Sequence, residues 1–103
     1  MGSMILDNVK TFMRDNQFIL TDHARVRMFE NNISTDNIKT IIDSDEIIEN
    51  YPNDHPCPSV LILGSLDTLP YHLVVALCDD HMRIITLYKP EKDQWNEDWK
   101  KRK

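Results

Sequence analysis

The chain has 103 residues, 28% of them charged, and a formal net charge of −5. That length supports one hydrophobic core and not two. No apolar run reaches membrane-spanning length and no secretory leader is visible, so a cytoplasmic protein without membrane association is expected. The acidic balance argues against a module that grips nucleic acid by bulk charge alone.

Met1-Gly2-Ser3 ahead of Met4 reads as a vector remnant, leaving residues 4–103 as a single α+β domain. Ile5, Val9, Phe12 and Met13 recur at helical spacing and predict a helix over 5–15. Residues 17–20 read as a short connector or extended piece. Thr21 is a candidate N-cap, Asp22 suits the helix dipole, and a second helix is expected over 22–31, stopped by Asn31-Asn32. Ser34 caps a third helix, stapled by Ile33 on Ile38 and buried through Ile38, Ile41 and Ile42.

The period then changes. Residues 46–51 predict a first strand. Pro52, Pro56 and Pro58 confine 51–58 to a loop, because proline cannot donate to a central ladder. Strands follow over 60–64, 71–77 and 83–88, with turns at 67–70 and 79–81. Their short links predict an antiparallel meander. After Pro90, residues 91–101 are expected to be helical, with Trp95 and Trp99 on one stripe and a cationic C-terminus. The expected fold is α+β: N-terminal helices packed on a small four-stranded antiparallel sheet, with a C-terminal helix.

Asp43, Asp45, Glu46, Glu49 and Asp54 form an acidic stretch without a base among them. It reads as a solvated loop or as an edge for a basic protein partner. Cys57 and Cys78 are far apart and read as two free thiols. With the four histidines they match no common zinc spacing, so neither metal nor cofactor is expected.

His23 and Arg27 are one turn apart and share a helix face. A titratable imidazole beside a permanent cation suits binding and cleavage of a phosphodiester. A solvated face or an ion-pair partner is the plainer reading of the same two residues.

Three pieces carry a resemblance: Thr21-x-His23-Ala24-x-x-Arg27-Met28; Glu46-Ile47-Ile48-Glu49-x-Tyr51-Pro52-x-Asp54-x-Pro56-x-Pro58-Ser59 with Leu61-x-Leu63-Gly64; and His72-x-Val74-Val75-Ala76 with Ile84-Ile85-Thr86-x-Tyr88-x-Pro90 leading to Trp95. Together they resemble a small bacterial family catalogued as a domain of unknown function. That family is itself similar to the RelE, BrnT and MqsR toxins. The resemblance implies a RelE-like fold and a metal-independent RNA endonuclease, the toxin of a toxin–antitoxin pair. Its partners would be an RNA substrate and an antitoxin protein. His23 or His72 would act as base or acid, Arg27 would hold the phosphate, and Tyr88 would donate a proton or stack on a base. The sheet carries few bases, only Arg83 and Lys89, which departs from the toxin pattern. The alternative is a non-catalytic protein- or RNA-binding module, a degenerate relative of that fold.

Overall fold

Thr21 shows how the sequence ties helix to sheet. In the computed structural model, which describes residues 4–43 and 46–102, its hydroxyl accepts from the Ala24 amide at 3.1 Å and donates to the Ile85 carbonyl at 2.8 Å. One side chain thus caps a helix and anchors it to a strand far away in the chain. The elements are α1 (Met4–Arg14), β1 (Phe18–Leu20), α2 (Asp22–Asn31), α3 (Thr35–Asp43), β2 (Glu46–Tyr51), β3 (Ser59–Leu66), β4 (Leu69–Leu77) and β5 (Met82–Tyr88). Asn32 ends α2 at φ 57°, and Ser34 and Asn37 exchange reciprocal side-chain bonds at the start of α3. Each such cap is worth about 1 kcal/mol.

The sheet has five strands in the order β1-β5-β4-β3-β2, one more than the sequence predicts. β2 to β5 form the expected antiparallel meander, and β1 adds to β5 in parallel, Phe18 opposite Met82 and Leu20 opposite Ile84. A three-residue strand is too short to show alternation, and its partner lies at the other end of the chain. Between β3 and β4 the turn is two residues, Asp67 and Thr68, both at positive φ, as a hairpin with the native twist requires.

One face of the sheet packs on the helices. Val9 and Met13 of α1 and Ile38, Ile41 and Ile42 of α3 bury against Val60, Ile62, Leu73, Val75, Ile84 and Leu87. Gly64 allows the closest approach: a Cβ there would lie 2.1 Å from the Ile41 carbonyl oxygen.

The opposite face is covered by residues 90–102, and here the predicted C-terminal helix is absent. The segment makes a single turn at Glu91–Trp95, then reverses, with an isolated antiparallel bridge between Trp95 and Arg102. Trp99 sits at φ 66°, which no right-handed helix accommodates. The cause is tertiary. A helix would have set both tryptophans on one stripe. Instead the Trp95 ring is buried against His72, the Trp99 carbonyl is bonded by His72, Lys100 pairs with Glu46 at 3.1 Å, and Arg102 pairs with Glu49 at 3.0 Å. The basic tail thus answers Glu46 and Glu49 of the acidic stretch; Asp45 lies outside the described residues. Leu61 of β3 and the strap's own Trp95 are both buried.

Cys57 and Cys78 are joined as a disulfide, which corrects the expectation of free thiols. The two lie at adjoining ends of β3 and β4, so the fold closes a gap that sequence separation concealed. Among the described residues, no helix is long and apolar enough to cross a membrane.

Candidate functional site

His72 stands at the centre of the strap-covered face. It follows from register: His72 pairs with Leu63 on one side and Tyr88 on the other, and partners across a ladder share a face. The residue is fully buried. Its Nε2 lies 2.8 Å from the Trp99 carbonyl oxygen. A carbonyl only accepts, so Nε2 carries the proton and Nδ1 is bare. Nδ1 faces the Tyr88 hydroxyl at 3.3 Å, and that hydroxyl donates to it. The bond is at the long end of the hydrogen-bond range. The Trp95 ring packs edge-on against the imidazole, centroids 4.2 Å apart.

Burial holds the His72 imidazole below its ordinary value, opposed by the Trp99 carbonyl and the charge of Glu49. Burial likewise pushes the Tyr88 hydroxyl up. Both shifts keep the pair neutral at pH 7: a protonated phenol facing an unprotonated Nδ1.

A second polar group lies on the same face. Arg102 forks onto Glu49, Nε to Oε2 at 3.0 Å and NH2 to Oε1 at 3.1 Å. Tyr51 donates its hydroxyl to the same carboxylate. The Arg102 bond holds Glu49 below the usual carboxylate range, while burial and Glu49 raise Tyr51. The guanidinium also lies 4.7 Å from the centre of the Trp95 ring, so Trp95 links the Glu49–Arg102 pair to His72.

Tyr88 has another neighbourhood. It borders a cavity of about 540 Å³ with Arg27, Asn31, Lys89, Pro90, Glu91 and Gln94. Arg27 is half-buried; its Nε is shielded from solvent without a hydrogen-bond partner among the described residues, and NH1 lies 3.6 Å from Glu30. Asn31 bonds the Arg27 carbonyl at 2.9 Å, fixing the last turn of α2 beside the cavity.

Of the four residues singled out by sequence, the structure therefore joins three in series. Arg27 and Tyr88 border one cavity, and Tyr88 touches His72. His23, near the start of α2, is exposed and is not among the residues that border the cavity. The sequence does not single out Glu49, Tyr51, Arg102 or the Trp99 carbonyl as site groups. Strand alternation places Glu49 and Tyr51 on one face and could have paired them. A backbone carbonyl has no side-chain signature, and the spacing of Trp95 and Trp99 points to a helix instead.

Among the described residues no cluster of His, Cys, Asp and Glu has the arrangement of a metal site. Neither a curated protein nor a solved structure matches the chain. A family model does match, over residues 20–89, which contain β2 to β5, α2 and α3 but stop before the strap. On that match, the chain belongs to the DUF4258 family, a domain of unknown function.

Proposed function

We propose that this protein is a metal-independent RNA endonuclease, the toxin of a toxin–antitoxin pair, with Arg27, Tyr88 and His72 as its working residues. The observation that carries the reading is the series just described: a cation and a phenol border one cavity, and an imidazole stands behind the phenol. The link to RelE-like toxins rests on element order and motif resemblance.

The arrangement supports a defined proton path. The ribose 2′-hydroxyl gives its proton to the Tyr88 oxygen as the Tyr88 proton passes to Nδ1 of His72. The imidazolium so formed keeps two acceptors, the Tyr88 oxygen and the Trp99 carbonyl. The 2′-oxygen attacks phosphorus, the bond to the 5′-oxygen breaks, and that oxygen takes a proton from water. His72 then returns its proton to solvent through Tyr88. Arg27 and Lys89 meet the charge on the phosphorane. His23 has no part in this path. Proton transfer by a positioned group contributes roughly 10²–10⁴-fold in rate. Induction of the intact chain should arrest growth, and Arg27→Ala should abolish the arrest; continued growth on induction of the intact, folded protein would count against the reading.

A second reading is a non-catalytic module that binds protein or RNA. His72 is fully buried with both ring nitrogens engaged, as a purely structural residue would be. Val26 and Phe29, three apart on α2, are 54% and 87% exposed, an apolar pair available to a protein partner such as an antitoxin. Stable association with a partner, together with intact RNA in every buffer, would favour this reading.

A further inference from the structure

We propose that the Cys57–Cys78 disulfide is a thiol–disulfide exchange site, opened by an external dithiol and closed again by a disulfide oxidant while the domain stays folded. This inference is independent of the nuclease reading.

The bond joins the open end of the β3–β4 hairpin, beyond the last residues of its ladder. An unbroken ladder already runs from Ser59 opposite Ala76 to Leu66 opposite Leu69. The Leu77 amide extends it by bonding the Pro58 carbonyl at 2.8 Å, and the Cys78 amide bonds the His81 carbonyl at 2.9 Å. The strands on either side are paired by their own backbone bonds, so opening the disulfide leaves that pairing in place.

The cysteines also border an open cavity that a guanidinium shares. Both cysteines are half-buried and border an open cavity of about 530 Å³ with Pro56, Pro58, His81 and Arg83. Arg83, Ala76 and Ser59 form one row across β5, β4 and β3, and the disulfide lies two positions beyond it along β3 and β4. The Arg83 Nε is shielded from solvent without a hydrogen-bond partner among the described residues. Asp79 and Asp80 also border the cavity, but Asp80 is engaged by the His81 ring at 2.7 Å. A guanidinium bordering the same cavity as the sulfurs favours the thiolate as leaving group.

The chemistry balances with a dithiol reductant. One thiolate of the reductant attacks the Sγ of one cysteine. The protein S–S bond breaks, a mixed disulfide forms, and the other cysteine leaves as thiolate. The second thiolate of the reductant then displaces the remaining cysteine and closes the reductant into its own disulfide. Two electrons pass to the protein, and solvent protonates the thiolates. The chain has two cysteines, so no third thiol competes within it.

The test uses the full chain, oxidised with glutathione disulfide and then exposed to millimolar dithiothreitol without denaturant. Maleimide trapping should find both thiols within minutes, with the far-UV circular dichroism unchanged. Glutathione disulfide should restore the bond. Arg83→Gln should slow opening by about three-fold or more, and Arg83→Lys should restore most of the rate. The proposal is overturned if the bond opens only in denaturant, if the circular dichroism is lost as it opens, or if glutathione disulfide never forms it. An unchanged rate in a folded Arg83→Gln overturns the part given to the guanidinium.

Discussion

The Tyr88 hydroxyl lies 3.3 Å from Nδ1 of His72, and the other ring nitrogen is taken by the carbonyl of Trp99. The strap thereby sets the histidine tautomer from behind, and Tyr88 becomes the link between a buried imidazole and a cavity bordered by Arg27.

His72 makes stability depend on pH with a definite sign. Its folded value lies below the ordinary imidazole value of about 6.5. The unfolded chain therefore binds the proton more readily, and stability rises with pH across this window. The contribution is complete above about 6.5 and is lost progressively as pH falls from there toward the lowered folded value. Urea melts of the wild type and of His72→Gln, taken from neutral to mildly acid pH, should show the steeper loss in the wild type. Parallel curves would contradict this.

Trp95 is the keystone of the strap, since its ring meets both His72 and Arg102. Trp95→Ala should cost about 3–5 kcal/mol, as large aromatic deletions from a core do. A shift in the urea midpoint worth less than about 1 kcal/mol would show that the strap adds little to the fold.

The Glu49–Arg102 pair should matter less. The Arg102 side chain is 59% exposed, so Arg102→Ala should cost under about 1 kcal/mol, and less at high salt. Glu49 is depressed in the folded state, so its contribution is present above the ordinary carboxylate range and is lost as pH falls through the folded value. Titration of the Glu49 carboxyl by NMR should show its value rising in Arg102→Ala; an unchanged value would contradict the assigned cause.

Gly64→Ala would place a methyl group on the Ile41 carbonyl of α3. Backbone cannot yield as a side-chain tip can, so α3 must move, at about 3 kcal/mol. Thermal melts check this, and a wild-type midpoint would mean that α3 packs less closely on β3.

The helices and the meander were legible because their signals are local: a stripe ending at Met13, an N-cap at Thr21, prolines flanking a loop. β1 was not, since three residues carry no period and their partner is distant. The strap was misread for a related reason. Trp95 and Trp99 have helical spacing, but His72 claims the ring of one and the carbonyl of the other. The same error hid Arg102 and its tie to Glu49. His23, Arg27, His72 and Tyr88 could be offered as candidates from residue type and motif resemblance, whereas their arrangement in space could not. The disulfide was hidden because nothing in the spacing of Cys57 and Cys78 announces that hairpin ends bring them together.

The most direct measurement is analysis of RNA ends after incubation with purified wild type and with Tyr88→Phe, which keeps the ring and removes only the hydroxyl. The wild type should cut at reproducible positions, leaving 2′,3′-cyclic phosphate and 5′-hydroxyl ends, and the variant should cut at least about 10²-fold more slowly while remaining folded. Intact RNA with the wild type, or equal cutting by both proteins, would contradict a proton path through Tyr88 and His72.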